Sequence, residues 1–210
     1  MKHAIIVAHP NLDSFNLTMA LAYQAAAKRA GCQTVMRDLY RIGFDPRLAK
    51  EEIPTPGGFA PADDVNAERA YIGGADVFVF VYPLWFNSPP AMLKGYLERV
   101  FGMGFGFGPG EVGNDPLLRG RRMISITSSG APKDWMVETG SWAAVRKLFD
   151  EHFSAVCGLS VVDHLHFGET VPGMTAEAVE RCVVKVGAMF DSHFGPPPAS
   201  AERAPSLARV

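Results

Sequence analysis

Val77-Phe78-Val79-Phe80-Val81-Tyr82 runs directly into Pro83-Leu84-Trp85-Phe86-Asn87-Ser88-Pro89-Pro90 and then Ala91-Met92-Leu93-Lys94-Gly95. Six uncharged β-branched and aromatic residues, stopped by a proline-bearing turn, predict a strand buried inside a sheet. The segment after the turn predicts a helix over Pro89 to Phe101, with proline in its first turn, where a missing N–H costs nothing. Working back toward the N-terminus, Ala4 to Ala8 is a second continuous apolar run. Ser14 to Ala30 has Leu17, Ala20, Leu21 and Ala27 at helical spacing, closed by Gly31. Gln33 to Leu39 reads as a strand, residues 40–61 as an irregular surface excursion, and Asp63 to Gly73 as a short helix. Toward the C-terminus, Met123 to Thr127 and Leu159 to Phe167 read as strands. Trp142 to Cys157 reads as a helix, and so does Thr175 to His193, capped by Thr175.

Strands alternating with helices imply right-handed crossovers and an α/β three-layer sandwich around a five-stranded parallel sheet of order 2-1-3-4-5. Residues 1–194 form one domain in this reading. The stretch 195–210 contains four prolines and few large apolar residues, which predicts a mobile tail.

Composition removes several classes of function. The chain has 210 residues, 48% hydrophobic and 20% charged, with a net charge of -2, and shows no basic stripe for nucleic acid. Arg119, Arg121 and Arg122 sit together, but directly before an apolar run, as a strand-flanking loop would place them. Cys32, Cys157 and Cys182 are too scattered for a disulfide framework or a zinc site, which suits a reducing compartment. The N-terminal apolar run is too short for a signal sequence or a membrane span, so a cytoplasmic location is expected. Gly108-Pro109-Gly110-Glu111-Val112-Gly113 matches a dinucleotide fingerprint in letters only, because no strand precedes it. His164 and His166 share one face of a strand, but no third metal ligand lies nearby in sequence.

In open parallel sheets ligands sit beyond the carboxyl ends of the strands, at the point where strand order reverses. Three strand ends therefore bear on function. After the first strand come His9, Ser14, Phe15, Asn16 and Thr18, polar groups at a helix start that suit a phosphate. After the third come Pro83, Leu84, Trp85 and Phe86, aromatic faces that suit a planar ligand. After the fourth come Thr127, Ser128, Ser129 and Gly130, a small loop whose N–H groups can face a heteroaromatic edge. The glycine-rich loop Gly102 to Gly110 is expected to border the site through Phe105 and Phe107. Together the three loops point to a flavin.

Several motifs carry a family likeness. His9 with Ser14-Phe15-Asn16, Asp38-Leu39-Tyr40, Tyr82 to Phe86, Pro90 to Gly95 and Glu98-Arg99-Val100-Phe101 resemble, in order, the NAD(P)H:quinone oxidoreductase family. That family includes DT-diaphorase, the modulator-of-drug-activity reductases and ancillary subunits of potassium-efflux systems. The resemblance implies a homodimeric flavodoxin-like fold with noncovalent FAD or FMN, which passes hydride from NAD(P)H to a quinone-like acceptor through one site. By position, His9, Phe15 and Asn16 would contact the flavin phosphate and ribityl chain. Pro83 to Phe86 would contact the ring, and Thr127 to Gly130 its pyrimidine side. Where mammalian members carry a tyrosine and a histidine that buffer charge on the reduced flavin, this chain has Trp135 and Ser141. Charge stabilisation is then expected from the N–H groups of Ser129 and Gly130, with Trp135 as an extra donor, and with little pH dependence between about pH 6 and 8. Two other readings stand beside the enzyme: a one-electron flavodoxin-like carrier, disfavoured by the low net charge, and a flavin-fold regulatory subunit of a potassium-efflux-type transporter.

Overall fold

The computed structural model describes residues 1–195; the expected tail from 196 to 210 lies outside the described residues. Five parallel strands, β1 (Lys2–Val7), β2 (Gln33–Asp38), β3 (Val77–Pro83), β6 (Arg122–Ser128) and β7 (Ser160–Phe167), form one sheet in the order β2-β1-β3-β6-β7. This is the 2-1-3-4-5 order expected from the sequence. Between β3 and β6 lies a short antiparallel pair, β4 (Phe107–Pro109) and β5 (Asn114–Pro116), which the sequence did not signal.

Alternation along the strands builds the two halves of the core. Ala4, Ile6, Phe78, Phe80 and Tyr82 face one layer of helices, while Ile5, Val7, Val77, Val79 and Val81 face the other. The second face is covered by α1 (Phe15–Arg29) and α7 (Ala176–Phe194). The first is covered by α2 (Asp63–Ile72), α3 (Ala91–Val100) and the segment after β6. Because β3 is buried at every position, both faces had to be apolar, which is why its sequence shows no polar alternation.

Several boundaries shift for physical reasons. Pro90 is the N-cap of α3 rather than part of its first turn. The Lys94-Gly95 pair is also explained, since a Cβ on Gly95 would lie 2.0 Å from the Pro46 carbonyl oxygen. The excursion across residues 45–62 is pressed onto α3 there, and Arg99 fixes it through Glu52, Asp64 and the Asp45 carbonyl. The expected helix Trp142–Cys157 becomes α5 (Ser141–Val145), a π-helical segment over Arg146–Phe153, and α6 (Ser154–Cys157), preceded by an unforeseen short helix α4 (Lys133–Glu138). Phe105 packs on Phe78 and Phe101 in the core. Among the described residues, no helix is long and apolar enough to cross a membrane.

His3 is fully buried on β1, where Tyr23 Oη lies 2.9 Å from its Nδ1. Burial, then Arg122, lower its pKa to about 4. His166 on β7 is lowered to about 4 by burial, then by His164 and Lys133. Both are neutral when folded and take up protons near 6.5 when unfolded, so the unfolded chain binds more protons between about pH 4 and 6.5. Stability should therefore fall as pH drops through that window, by on the order of 2–3 kcal/mol per histidine. Urea unfolding from pH 7.5 to 4.5 checks this, and His3→Gln should flatten the slope by about one proton.

Candidate functional site

At the carboxyl ends of β1, β3 and β6 the three strand-end loops converge. Ala8 N donates to Val81 O at 3.1 Å and Leu84 N donates to Ser128 O at 2.7 Å, which holds the loops side by side. A cleft of about 500 Å³ opens between them. Of the residues expected at the site, His9, Ser14, Phe15, Asn16, Thr18, Pro83, Leu84, Trp85, Ser128, Ser129 and Gly130 all line it. Asn11, Asp13 and the segment Thr170–Met174, with Val179, complete the wall. The last segment is the loop between β7 and α7. Sequence reasoning passed over it because that strand end adjoins no reversal of strand order. Its only signal is Val171-Pro172-Gly173-Met174 running into the cap Thr175.

The floor of the cleft is the start of α1. Ser14 caps the helix, its Oγ accepting from Leu17 N at 3.1 Å, and its carbonyl accepts from Thr18 N and Thr18 Oγ1. The N–H groups of Phe15 and Asn16 have no acceptor among the described residues. They are the free first-turn donors that a helix N-terminus offers to an anion. His9 Nδ1 accepts from Asn11 N at 3.1 Å, and burial lowers its pKa. The ring is then neutral with its proton on Nε2, a third donor at this end of the cleft. Arg41 braces the loop by donating to Pro10 O at 3.1 and 3.2 Å.

Asn16 is the least satisfied group in the cleft. Its Oδ1 accepts from Ser128 Oγ at 3.1 Å, linking the first and fourth strand-end loops, yet its buried Nδ2 has no partner among the described residues. A buried amide donor left unpaired costs roughly 1–3 kcal/mol. A polar acceptor in the cleft would satisfy it. The fit with a flavin is good: two free backbone donors and an imidazole N–H for a phosphate, a buried amide for the sugar chain, and Pro83, Leu84 and Trp85 beside the space for a ring.

The aromatic turn is strained. Trp85 and Ser88 exchange both backbone hydrogen bonds at 3.1 Å, and the two residues between them, Phe86 and Asn87, have φ of 50° and 59°. This is a two-residue turn with both central residues left-handed, a conformation that asparagine tolerates and phenylalanine does not. Asn87 Nδ2 fixes it by donating to Ser141 O at 2.9 Å.

Other expected site residues lie elsewhere. Phe86 is fully exposed and does not line the cleft, because its left-handed backbone turns the side chain outward. Phe107 lines a separate groove. Thr127 is fully buried, its hydroxyl held between His164 and His166 on the helix side of the sheet. Trp135 is 53% exposed on α4 and forms no part of the cleft. Ser141 Oγ pairs with Thr139 Oγ1 at 3.0 Å, also away from the cleft. The Ser129 N–H is already spent on Phe167 O at 2.9 Å, which leaves Gly130 as the loop N–H without a partner among the described residues. His164 and His166 are committed to Asp150, Thr127 and Ser129.

Comparison with known proteins agrees with this geometry. The sequence profile for the Flavodoxin-like fold matches residues 1–189. An uncharacterised NAD(P)H oxidoreductase of Haemophilus influenzae is 32% identical over 170 residues, covering 80% of this chain and 84% of the relative. NAD(P)H dehydrogenase (quinone) 1 of Rattus norvegicus is 26% identical over 199 residues, covering 84% of this chain and 73% of that protein. The solved structure of an NAD(P)H:quinone oxidoreductase from Methanothermobacter marburgensis superposes with a TM-score of 0.78 at 27% identity, over 91% of this chain and 96% of the other.

The strained turn yields a test. Phe86→Gly removes a left-handed penalty of roughly 1–2 kcal/mol, partly offset by the greater freedom of glycine in the unfolded chain. Thermal unfolding of the variant should show stability unchanged or raised by up to about 1 kcal/mol. A clear loss would mean that the exposed ring makes contacts that hold the turn.

Proposed function

The chain belongs to the Flavodoxin-like fold family, and from that membership and the cleft we infer that it is a flavin-dependent NAD(P)H oxidoreductase that reduces quinones or similar acceptors by two-electron transfer. The observation that carries this is the donor set at the start of α1. The unpaired N–H groups of Phe15 and Asn16 and the orphaned Asn16 Nδ2 await an anionic, sugar-bearing ligand. Relatives named as NAD(P)H and quinone oxidoreductases across most of the chain support the reaction.

A bound FAD or FMN would supply the redox chemistry, the exchange of an electron pair between NAD(P)H and the acceptor. The protein's part is binding and orientation. His9, Phe15 and Asn16 would hold the phosphate and ribityl chain, with Ser14 and Thr18 fixing the helix start beneath them. Pro83, Leu84 and Trp85 limit where the ring can lie, and Trp85 has half its surface free to cover one edge. Ser128 holds Asn16 in place, and the Gly130 N–H would be available to a polar edge of the ring. Among the described residues no lysine or arginine lines the cleft, so an anion would be held by N–H dipoles, an arrangement suited to a preorganised site. A carrier role is disfavoured by the near-neutral charge, and a cytoplasmic setting is the one we assign, supported by three free cysteines that suit a reducing compartment.

The active form in this reading is a homodimer. An apolar groove of about 680 Å³ lies between α3 and the π segment, lined by Leu97, Phe101, Phe107, Leu148, Phe149 and Phe153. Leu148 is 67% exposed on its rim. Asn87 and Ser88 of the strained turn form its edge, so a second copy seated there would reach the mouth of the cleft. Exposed apolar surface of this extent is a mark of an interface.

The purified protein should be yellow and release FAD or FMN on denaturation. Asn16→Ala should weaken flavin retention by at least about tenfold, one hydrogen-bond's worth to a polar ligand. The same change should leave stability within about 1 kcal/mol, because it also removes an unsatisfied amide. A colourless protein that binds neither added FMN nor FAD would contradict the assignment. Light scattering should show a dimer that Leu148→Glu converts to monomer, whereas a monomeric unmodified protein would contradict the dimer.

A further inference from the structure

Behind the Ser128–Gly130 loop, on the face of the sheet covered by α3 and the π segment, lies an unbroken chain of hydrogen bonds. Asp150 Oδ2 is 2.7 Å from His164 Nδ1, and His164 Nε2 is 2.8 Å from Thr127 Oγ1. Thr127 Oγ1 is 2.9 Å from His166 Nδ1, and His166 Nε2 is 3.1 Å from Ser129 Oγ. Ser129 Oγ is 2.8 Å from Ala131 O. Every side chain in it is buried or nearly so until Ser129, which lines the cleft.

The direction of this chain follows from counting protons. A carbonyl cannot donate, so Ser129 gives its proton to Ala131 O and accepts from His166 Nε2–H. Neutral His166 has a single ring proton, so its Nδ1 must accept from Thr127. Thr127 has then spent its proton and must accept from His164 Nε2–H. The Asp150 carboxylate accepts from His164 Nδ1–H. His164 thus donates from both nitrogens, an imidazolium paired with a buried carboxylate.

We propose that Asp150, His164, Thr127, His166 and Ser129 form a directional proton wire that places a movable positive charge behind the cleft. Negative charge arriving on a ligand at the loop is met by a proton shift from His164 to His166. In that shift His164 Nε2 gives its proton to Thr127 Oγ1 as Thr127 gives its own to His166 Nδ1. One N–H and one O–H bond break and the same two kinds form, so no proton enters or leaves. His166 becomes the imidazolium, one histidine closer to the cleft, and donates more strongly to Ser129 Oγ. His164 becomes neutral and stays bonded to Asp150.

The surroundings fit such a role. The Trp142 ring covers both histidines at 4.7 and 5.1 Å and keeps water from them. Lys133 from α4 lies 4.9 Å from the centre of the same indole. From the π segment Arg146 lies 3.4 Å from Asp150 Oδ2, and Ser125 Oγ on β6 lies 3.4 Å from Asp150 Oδ1. Asp163 on β7 accepts from the His164 backbone N–H, and its other oxygen pairs with His193. The π turn brings the Asp150 carboxylate onto His164, a use of that rare geometry in keeping with its occurrence at functional sites. Because the proton moves internally, the wire answers ligand charge without a titration between pH 6 and 8. Apart from Ser129, which lines the cleft, these are positioning residues rather than groups that touch the ligand.

The charge shift rests on the flavin reading, whereas the direction of the wire does not, and ¹⁵N NMR of histidine-labelled protein tests each separately. In flavin-free protein at pH 7, His164 should show both nitrogens protonated and His166 the neutral Nε2–H form. A singly protonated His164 would overturn the wire. With flavin bound, chemical reduction should transfer the second proton signature to His166. A His166 that stays neutral beside a fully reduced flavin would overturn the shift, and a protein that binds no flavin would overturn the functional reading and the shift with it. Thr127→Val should abolish the transfer and slow flavin reduction by NADPH about tenfold or more, while Thr127→Ser should restore both. Equal behaviour of the valine and serine variants would contradict a role for the hydroxyl.

Discussion

The structure depends on the parting of two neighbouring strands. β1 and β3 run parallel and in register from His3 opposite Val77 to Val7 opposite Val81. The chain leaving β1 folds into α1 on one face of the sheet, and the chain leaving β3 folds into α3 on the other. Two adjacent strands whose connections depart to opposite sides must leave a crevice beyond their carboxyl ends. That crevice is where α1 begins, so its unpaired first-turn donors point into it without any side chain being recruited for the purpose.

Two local costs of folding lie at or beside this crevice. Asn16 keeps a buried amide without a partner, and Phe86 holds a left-handed backbone. Each costs a kilocalorie or more in a fold whose net stability is only about 5–15 kcal/mol. The remainder of the molecule compensates, with a sheet buried on both faces and the Arg99 network closing the loop over α3. Unsatisfied donors at the cleft are poor for folding and good for a ligand, which is the balance expected of a preorganised binding site.

The fold was legible in the sequence because burial on both faces leaves a plain trace. Val77 to Tyr82 and Ala4 to Ala8 carry no polar alternation, and only the interior of a parallel sheet imposes that. The cleft was legible where function is tied to a strand end, as for His9, Asn16, Trp85 and Ser128. It was not legible where geometry depends on partners distant in sequence. Thr127 precedes the loop by a single residue and would be assigned to the ligand, yet strand pleating turns it to the opposite side, between His164 and His166. Trp135 and Ser141 sit at plausible spacing, but a short helix carries them away from the cleft. The π turn leaves no signal of its own, so the meeting of Asp150 with His164, 14 residues apart, could not be read in advance.

The central claim is that this crevice holds a flavin that exchanges electron pairs with a nicotinamide. Anaerobic titration of the flavin-loaded protein with NADPH or NADH, followed in the visible spectrum, tests it most directly. The account predicts full bleaching of the flavin band at one equivalent of reduced nicotinamide per site, and its return when a quinone is added under the same conditions. A band that persists through excess NADH and NADPH, or that bleaches but is not restored by any quinone, would contradict it.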